Sequence, residues 1–175
     1  VVTGEAPAGK FLVEHPDTHM IAFTGSVPVG VSIARKCGEL MKRSLIENSG
    51  NDPFIVMPSA PMDITARAAA FSAYMNCGQI CVSAERFFVH EKIHDEFVDK
   101  LVEETKKIRV GNGLDKVDMG PIVSEKERDR YEKVLNKALS EGAEAVTGGE
   151  RLSEFNKGWF VAPTVLTNCT DEMSI

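Results

Sequence analysis

The stretch Ile21-Ala22-Phe23-Thr24-Gly25-Ser26-Val27-Pro28-Val29-Gly30 contains a complete transition from strand to helix. Its first three residues form a short apolar run typical of a buried strand, and Thr24-Gly25-Ser26 is a turn signal. Ser26 is a favourable N-cap residue, and Pro28 suits the first turn of a helix. The stretch therefore predicts a strand that leads directly into a helix.

The rest of the chain continues this alternation of strands and helices. Short apolar runs predict further strands at Ser44–Ile46, Phe54–Met57, Arg86–Val89, Ala143–Thr147 and Phe160–Leu166. We also interpret Val1–Gly4 as the end of a strand and its turn. Strands that alternate with helices predict an α/β fold with a largely parallel sheet.

Three more helices are predicted between and after these strands. An alanine-rich helix is expected from its cap at Asp63 to about Met75. A long helix with apolar residues on one side covers 93–108. The capping-box pattern Ser124-Glu125-Lys126-Glu127 predicts the start of a helix that ends at Gly142.

Length and charge narrow the possible classes of protein. A chain of 175 residues usually forms one domain, and 43% hydrophobic with 26% charged residues is ordinary for a globular protein. The formal net charge is −6 and no basic patch is present, so we expect no nucleic-acid partner. No apolar run approaches the ~18 residues that span a membrane, so no membrane partner is expected. Because the sequence begins at Val1 without Met, we expect it to be a piece of a longer chain.

Four cysteines, Cys37, Cys77, Cys81 and Cys169, raise the question of metals and disulfides. None stands in Cys-x-x-Cys spacing and no histidine lies near a pair of them, so we expect no metal site. A disulfide scaffold is not expected either, because a chain of this length can build its own core. A reducing compartment is the default expectation.

Two features before residue 50 have residue types suited to chemistry. The Gly25-Ser26 turn before a helix N-terminus would offer backbone N–H groups and a hydroxyl to a phosphate, although many such turns are only structural. Glu47 follows an apolar strand and precedes a loop, where burial would turn a carboxylate into a general base. The alternative for Glu47 is an ordinary surface residue at a strand end.

A third feature is the pair of cysteines in Asn76-Cys77-Gly78-Gln79-Ile80-Cys81. Gly78-Gln79 interrupts the helix, so Cys81 falls in an irregular loop where a side chain can be aimed at a substrate. A cysteine nucleophile needs such an accessible, polar position. Cys77 is expected in the last turn of the helix, as a buried thiol. From the residues alone, Cys81 is a candidate nucleophile and a structural role stays open.

Taken in order, these motifs resemble the NAD(P)-dependent aldehyde dehydrogenase superfamily. Phe-Thr-Gly-Ser-x-x-x-Gly comes first, a glutamate in a Glu-x-x-Gly loop follows, and Gly-Gln-x-Cys completes the set. The separation of Glu47 from Cys81, 81 − 47 = 34 positions, is usual in that family. Further matches are Glu85–His90, Val110–Asn112, Met119–Pro121, Glu141–Ala143, Thr147–Gly149 and Phe160–Thr164. The resemblance covers essentially the whole chain, and the ordered set is far more specific than any one motif.

The resemblance implies roles for five residues. Cys81 matches the nucleophile that attacks the aldehyde carbonyl and carries a thiohemiacetal and then a thioester. Glu47 matches the general base that activates water for hydrolysis of the thioester. Gly25, Ser26 and Gly30 match the turn that contacts the pyrophosphate of NAD or NADP.

The resemblance also implies a domain organisation. Residues 1–47 would be the end of a Rossmann-like NAD(P)-binding domain, and residues 48–175 the first part of an α/β catalytic domain. The remaining family elements are expected outside these residues, so the 175-residue piece alone is expected to be inactive and poorly soluble. The intact parent is expected to be a cytoplasmic homodimer or homotetramer that acts on a small-molecule aldehyde; an organelle matrix is the alternative location.

Several departures from the family pattern leave alternatives open. The usual Glu-Leu-Gly-Gly loop is Glu47-Asn48-Ser49-Gly50 here, so Asn48 is expected to alter the nicotinamide pocket. Glu127 matches a position that touches a cofactor ribose in some members, but we interpret it as part of the capping box. A CoA-acylating dehydrogenase is the second enzymatic reading, which Glu47 disfavours because those enzymes usually lack this base. The third is a catalytically inert fragment or structural paralogue.

Overall fold

The computed structural model describes residues 1–175 and divides them into two units, Val1–Gly50 and Asn51–Ile175. In the first unit, helix α1 (Ala6–Glu14) precedes strand β1 (Met20–Gly25), helix α2 (Val27–Glu39) and strand β2 (Arg43–Asn48). The strands β1 and β2 pair in parallel from Met20 opposite Arg43 to Gly25 opposite Asn48. The strand–turn–helix predicted at 21–30 is therefore confirmed as the start of a β–α–β unit.

Local sequence explains the start of α2 only in part. Ser26 is the N-cap residue and Pro28 lies in the first turn, as predicted. The Ser26 side chain makes no capping hydrogen bond, however, so the turn is set by Pro28 and by the parallel strands. The interpretation of Val1–Gly4 as a strand end was wrong, because these residues have no strand partner and lead into α1.

The second unit begins with another parallel β–α–β arrangement. Strand β3 (Asp52–Val56) pairs with β4 (Ala84–Val89), and helix α3 (Met62–Tyr74) connects them; helix α4 (His94–Thr105) follows after a short 3₁₀ turn, Glu91–Ile93. A core between these elements and the end of the chain is formed by Val56, Ala69, Ala70, Phe97, Leu101 and Val165. The alanine side chains on α3 are small, so the backbone of α3 can lie close to α4. Large side chains such as that of Phe97 fill the rest of the core.

The structure corrects the predicted ends of α3. Pro61 is the N-cap, and Asp63 lies inside the first turn, where its carboxylate faces Lys100 Nζ at 3.5 Å. The helix ends at Tyr74 and is followed by a short 3₁₀ segment, Met75–Gly78. Cys77 was predicted in the last turn of this helix. It lies instead in an irregular turn after the helix.

The last part of the second unit contains helix α5 (Glu125–Glu141) and the antiparallel strands β5 (Glu144–Thr147) and β6 (Val165–Thr167). The N-cap contact predicted from the capping box is confirmed, because Ser124 Oγ accepts the N–H of Glu127 at 3.3 Å. Gly142 ends the helix with a φ of 109°, a left-handed conformation that favours glycine.

The strand predicted at 160–166 is shorter in the structure and begins at Val165. Pro163 has no N–H to donate to a neighbouring strand. Thr164 instead turns its Oγ1 towards other partners: it accepts Tyr131 Oη–H at 2.8 Å and the N–H of Gly149 at 2.9 Å. The backbone carbonyl of Thr164 accepts Tyr74 Oη–H at 2.9 Å, so this residue connects α3, α5 and the loop after β5.

The sheet arrangement differs from the predicted one. The chain forms three two-stranded sheets, two parallel and one antiparallel, rather than one largely parallel sheet. The α/β class itself is confirmed, since two of the three pairs are parallel strands connected through a helix.

Candidate active site

The candidate nucleophile Cys81 lies in the loop between the 3₁₀ segment and β4 of the second unit. Its thiol is free and the residue is exposed to solvent. Ile80 beside it is half-buried, and Val82 is 69% exposed. A free cysteine in an exposed loop has the access that a nucleophile needs.

The chain enters this loop through an unusual turn. Asn76, Cys77 and Gly78 are consecutive residues with φ of 53°, 60° and 71°. A left-handed conformation costs about 1–3 kcal/mol for each residue other than glycine, so it persists only where other contacts hold it. The turn follows the end of α3 and leads into a loop in which Gln79, Cys81 and Val82 are exposed.

The neighbouring cysteine has a different environment. Cys77 is half-buried, and its burial raises the pKa of its thiol to about 11. At neutral pH the Cys77 thiol is therefore protonated and a poor nucleophile. The other two cysteines do not compete for the role in this loop: Cys37 is buried in α2, and Cys169 lies after β6.

The loop carrying Cys81 is fastened at both ends by polar side chains, Gln79 and Ser83, whose contacts were not predicted from the sequence. Gln79 Oε1 accepts the N–H of Val123 at 2.9 Å. Ser83 is 2% exposed, and its Oγ donates to the carbonyl of Ser72 in α3 at 3.2 Å. Only the place of Gln79 in the Gly-Gln-x-Cys motif gave a signal for its importance; nothing in the sequence marked Ser83.

The first unit brings the other four predicted residues to one end of its two strands. Gly25 ends β1 and Ser26 caps α2, while Thr24 lies opposite Glu47 at the end of β2. The N–H of Ser49 donates to the carbonyl of Gly25 at 3.1 Å, which holds the two strand ends together. Glu47 is exposed rather than buried, and it lies near the end of β2, opposite Thr24.

Gly30 packs where a side chain would not fit. It is buried in the first part of α2, and a Cβ placed there would lie 2.8 Å from Ile46 Cγ2 and overlap Asn48 Oδ1. The absence of a side chain lets α2 approach β2 closely. Asn48, identified from the sequence as a departure from the family pattern, therefore contacts the first turns of α2.

The N-terminus of α2 has unpaired hydrogen-bond donors. The N–H groups of Val27 and Val29 precede the first helical hydrogen bond, which the N–H of Gly30 donates to the backbone carbonyl of Ser26 at 2.9 Å. Pro28 has no N–H, and the hydroxyl of Ser26 makes no cap bond. Two backbone donors, one hydroxyl and the positive end of the helix dipole are thus available to an anion.

The structure contains no group of three or more His, Cys, Asp or Glu side chains placed to hold a metal ion. None of its helices has the length and apolar character required to cross a membrane.

Comparison with known proteins gives a consistent result. The family model described as "Aldehyde dehydrogenase family" matches residues 1–175. The chain is 41% identical over 178 residues to 3,6-anhydro-alpha-L-galactose dehydrogenase of Vibrio sp. (strain EJY3), covering 100% of this chain and 37% of that protein. It is 38% identical over 178 residues to betaine aldehyde dehydrogenase of Brucella anthropi, with the same coverage.

Solved structures agree with the sequence comparison. The structure of 3,6-anhydro-L-galactose dehydrogenase in complex with NAP has a TM-score of 0.93 at 41% identity, covering 98% of this chain and 37% of that one. An NAD+ complex of aldehyde dehydrogenase from Bacillus cereus has a TM-score of 0.93 at 37% identity, covering 99% of this chain and 35% of that one. The chain thus spans 37% of the length of the curated relatives it matches.

Proposed function

Because this chain belongs to the aldehyde dehydrogenase family, we propose that the complete protein carrying it oxidises an aldehyde to a carboxylic acid with NAD or NADP. The observation that carries the proposal is the family match over all of residues 1–175, which includes both the Cys81 loop and the strand β2 that contains Glu47. Relatives that match over the same length are named as dehydrogenases of an aldehyde or a sugar.

The proposed cofactor contact is the turn between β1 and α2. Ser26 and the N–H groups at the start of α2 would hold the pyrophosphate. The carbonyl of Gly25 accepts the N–H of Ser49 after β2, and the missing side chain of Gly30 lets α2 approach β2. The donor set fits this group, since it consists of a hydroxyl and backbone N–H groups without a competing carboxylate in the first turn of α2. When bound, the nicotinamide supplies the hydride acceptor for the reaction.

Cys81 is the proposed nucleophile. Its Sγ would attack the carbonyl carbon of the aldehyde and hold the substrate first as a thiohemiacetal and, after oxidation, as a thioester. The backbone N–H of Cys81 would donate to the developing oxyanion. Its exposure and the protonated state of Cys77 support this choice between the two neighbouring thiols.

Glu47 is the proposed general base for hydrolysis. Its carboxylate would take a proton from a water molecule as that water attacks the thioester and releases the acid. Its position near the end of β2, next to the proposed cofactor turn, supports a role close to the bound cofactor. A CoA-acylating enzyme would not need this base, so Glu47 favours water as the acyl acceptor.

The division of the structure between Gly50 and Asn51 supports a domain boundary close to the one expected at residue 47. We assign residues 1–47 to the end of the NAD(P)-binding domain and residues 48–175 to the first part of the catalytic domain. In this assignment the base and the cofactor turn belong to one domain and the nucleophile to the other.

The test uses the complete protein and a panel of aldehydes, with formation of reduced cofactor followed by absorbance in the presence and absence of CoA. We expect CoA-independent reduction that is abolished in Cys81→Ala. In Glu47→Gln we expect one rapid turnover followed by slow release of the acid. Absence of reduction with every aldehyde, or retained reduction in Cys81→Ala, would contradict the proposal, and strict dependence on CoA would favour the acylating alternative.

A further inference from the structure

The loop that carries Cys81 is held by a pair of reciprocal amide contacts. Asn76 Nδ2 donates to the carbonyl of Gln79 at 3.2 Å, and Gln79 Nε2 donates to the carbonyl of Asn76 at 3.1 Å. The N–H of Gln79 also donates to the Asn76 carbonyl, at 3.2 Å. These bonds close the turn of left-handed residues from both of its sides.

The Gln79 side chain also connects this turn to a distant part of the chain. Its Nε2 lies 3.5 Å from the carbonyl of Pro121, and its Oε1 accepts the N–H of Val123 at 2.9 Å. Residues 121–123 lead directly into Ser124, the N-cap of α5. One carboxamide therefore joins the entrance of the Cys81 loop to the start of a long helix.

The other end of the loop is fixed independently. Ser83 is buried and its hydroxyl bonds to the carbonyl of Ser72 in α3, while its N–H donates to the carbonyl of Ile80 at 3.1 Å. Cys81 thus lies between a fixed Ser83 and Gln79.

We propose that Gln79 is a positioning residue for Cys81: its carboxamide sets the direction of the thiol by fastening the 76–79 turn to residues 121–123. This inference rests on the proposed function, in which Cys81 is the nucleophile. The role requires an amide, because Gln79 donates to two carbonyls and accepts from one N–H. A carboxylate has no N–H groups to donate, and an apolar side chain has neither donors nor an acceptor.

The first test changes Gln79 in the complete protein. Gln79→Met keeps the length of the side chain without hydrogen bonds, and Gln79→Glu keeps only the acceptor. We expect the rate of the first turnover, and the rate of Cys81 alkylation by iodoacetamide, to fall about 10- to 100-fold, since small misplacements of a reacting group have effects of that size. The KM for the cofactor should stay at the wild-type value. Asn156→Asp makes a similar amide-to-acid change at an exposed position and should leave both rates unchanged.

The second test removes the partner instead of Gln79. Val123 is 76% exposed, so its side chain can be replaced at little cost. Val123→Pro deletes the N–H that donates to Gln79 Oε1, whereas Val123→Ala keeps it. We expect Val123→Pro to reproduce the slower turnover and slower alkylation of the Gln79 variants, and Val123→Ala to behave as the wild type.

Two results would overturn the proposal. One is wild-type turnover and alkylation rates in Gln79→Met and Val123→Pro. The other is a loss of cofactor binding and of folded protein that parallels the loss of rate, which would make Gln79 a structural residue only. Alkylation does not require aldehyde oxidation: if the wild type reduces no cofactor while the variants still slow Cys81 alkylation, the proposed function fails and the positioning role remains.

Discussion

Cys77 and Cys81 are four positions apart, but their environments give them different chemistry. Burial raises the pKa of Cys77 to about 11, whereas Cys81 is exposed in the loop. The thiolate is the reactive form, so a raised pKa leaves Cys77 almost entirely as the unreactive thiol at neutral pH. The two residues therefore belong to one short motif but not to one site.

This difference predicts selective labelling in the complete protein. At neutral pH, iodoacetamide should modify Cys81 before Cys77, and Cys77 should become labelled only as the pH rises towards about 11. Mass spectrometry of the peptide containing residues 76–86 after Cys81→Ser and Cys77→Ser changes would separate the two rates. Equal labelling of both cysteines at neutral pH would contradict this prediction.

Gly30 provides a second prediction at the scale of the residue. In Gly30→Ala the new Cβ would meet Ile46 Cγ2 at 2.8 Å, and the stiff β-branched side chain of Ile46 cannot move aside in β2. We expect the variant to lose about 1–3 kcal/mol of unfolding free energy, the usual cost of overpacking. Affinity for the cofactor should also fall, because α2 must shift away from the turn.

Gly38→Ala is the matched control for Gly30→Ala. Gly38 lies in the same helix, but a Cβ there meets nothing within 4 Å. Alanine has the higher helix propensity, so this variant should be stabilised by about 0.5–1 kcal/mol. Urea unfolding and cofactor titration of the complete protein measure both changes. Destabilisation of both variants to the same extent would contradict the assignment of the Gly30→Ala effect to close packing against β2.

At the scale of elements, the sequence predicts best where local signals agree with the fold. The β1–turn–α2 unit was predictable because an apolar run, a turn, an N-cap and a proline occur in order, and the Ser124 cap followed from its box. The conformation of the chain after α3 was not predictable in this way. Asn76 and Cys77 take left-handed conformations in a turn whose Gln79 side chain also bonds to residues more than forty positions later, and no local pattern records that contact.

Non-local contacts also explain why strand β6 is shorter than predicted. Thr164 was expected within a strand, but its hydroxyl and carbonyl accept hydrogen bonds from Tyr131, Gly149 and Tyr74 instead.

For the candidate site, the motif spacing indicated Cys81, Glu47 and the Gly25-Ser26 turn. It could not indicate Ser83, because a serine that fixes a loop by bonding to a helix carbonyl has no sequence signature.

The burial of Tyr74 in α3 predicts an effect of pH on stability. Burial raises the pKa of Tyr74 from 10.0 to about 12. Between these values folded Tyr74 keeps its proton while the unfolded chain has lost it, so the folded state binds more protons and stability falls as pH rises. The contribution of the protonated Tyr74 hydroxyl to the free energy of unfolding is fully present below pH 10.0 and is lost as the pH passes about 12.

Tyr74→Phe tests this linkage. It removes the ionisable hydroxyl, so within that window the variant should lose stability less steeply than the wild type, by up to about 1.4 kcal/mol per pH unit. Cys77 and Tyr131, whose pKa values are also raised by burial, remain in both proteins and cancel in the comparison. Urea unfolding on both sides of the window measures the difference. A difference in stability that does not change with pH would contradict the assignment to Tyr74.

At the scale of the whole molecule, both units expose apolar side chains on their sheets. In the first unit Met20 and Leu45, on β1 and β2, are each 53% exposed. In the second unit Ile55 is 67% and Phe88 is 45% exposed, and the two residues are direct partners in the parallel pairing of β3 with β4. Neighbouring exposed apolar residues on a sheet favour association with other protein surfaces.

We therefore expect residues 1–175, expressed by themselves, to self-associate rather than to remain a monomer. Light scattering coupled to size-exclusion chromatography should show a mass that rises with protein concentration. Replacing Ile55 and Phe88 together by Thr keeps the preference for a strand while removing the apolar pair, and should reduce the association. Glu91→Thr, at an exposed polar position, is the control and should leave it unchanged. A monomer that melts cooperatively at all concentrations would show that these exposed faces do not drive association.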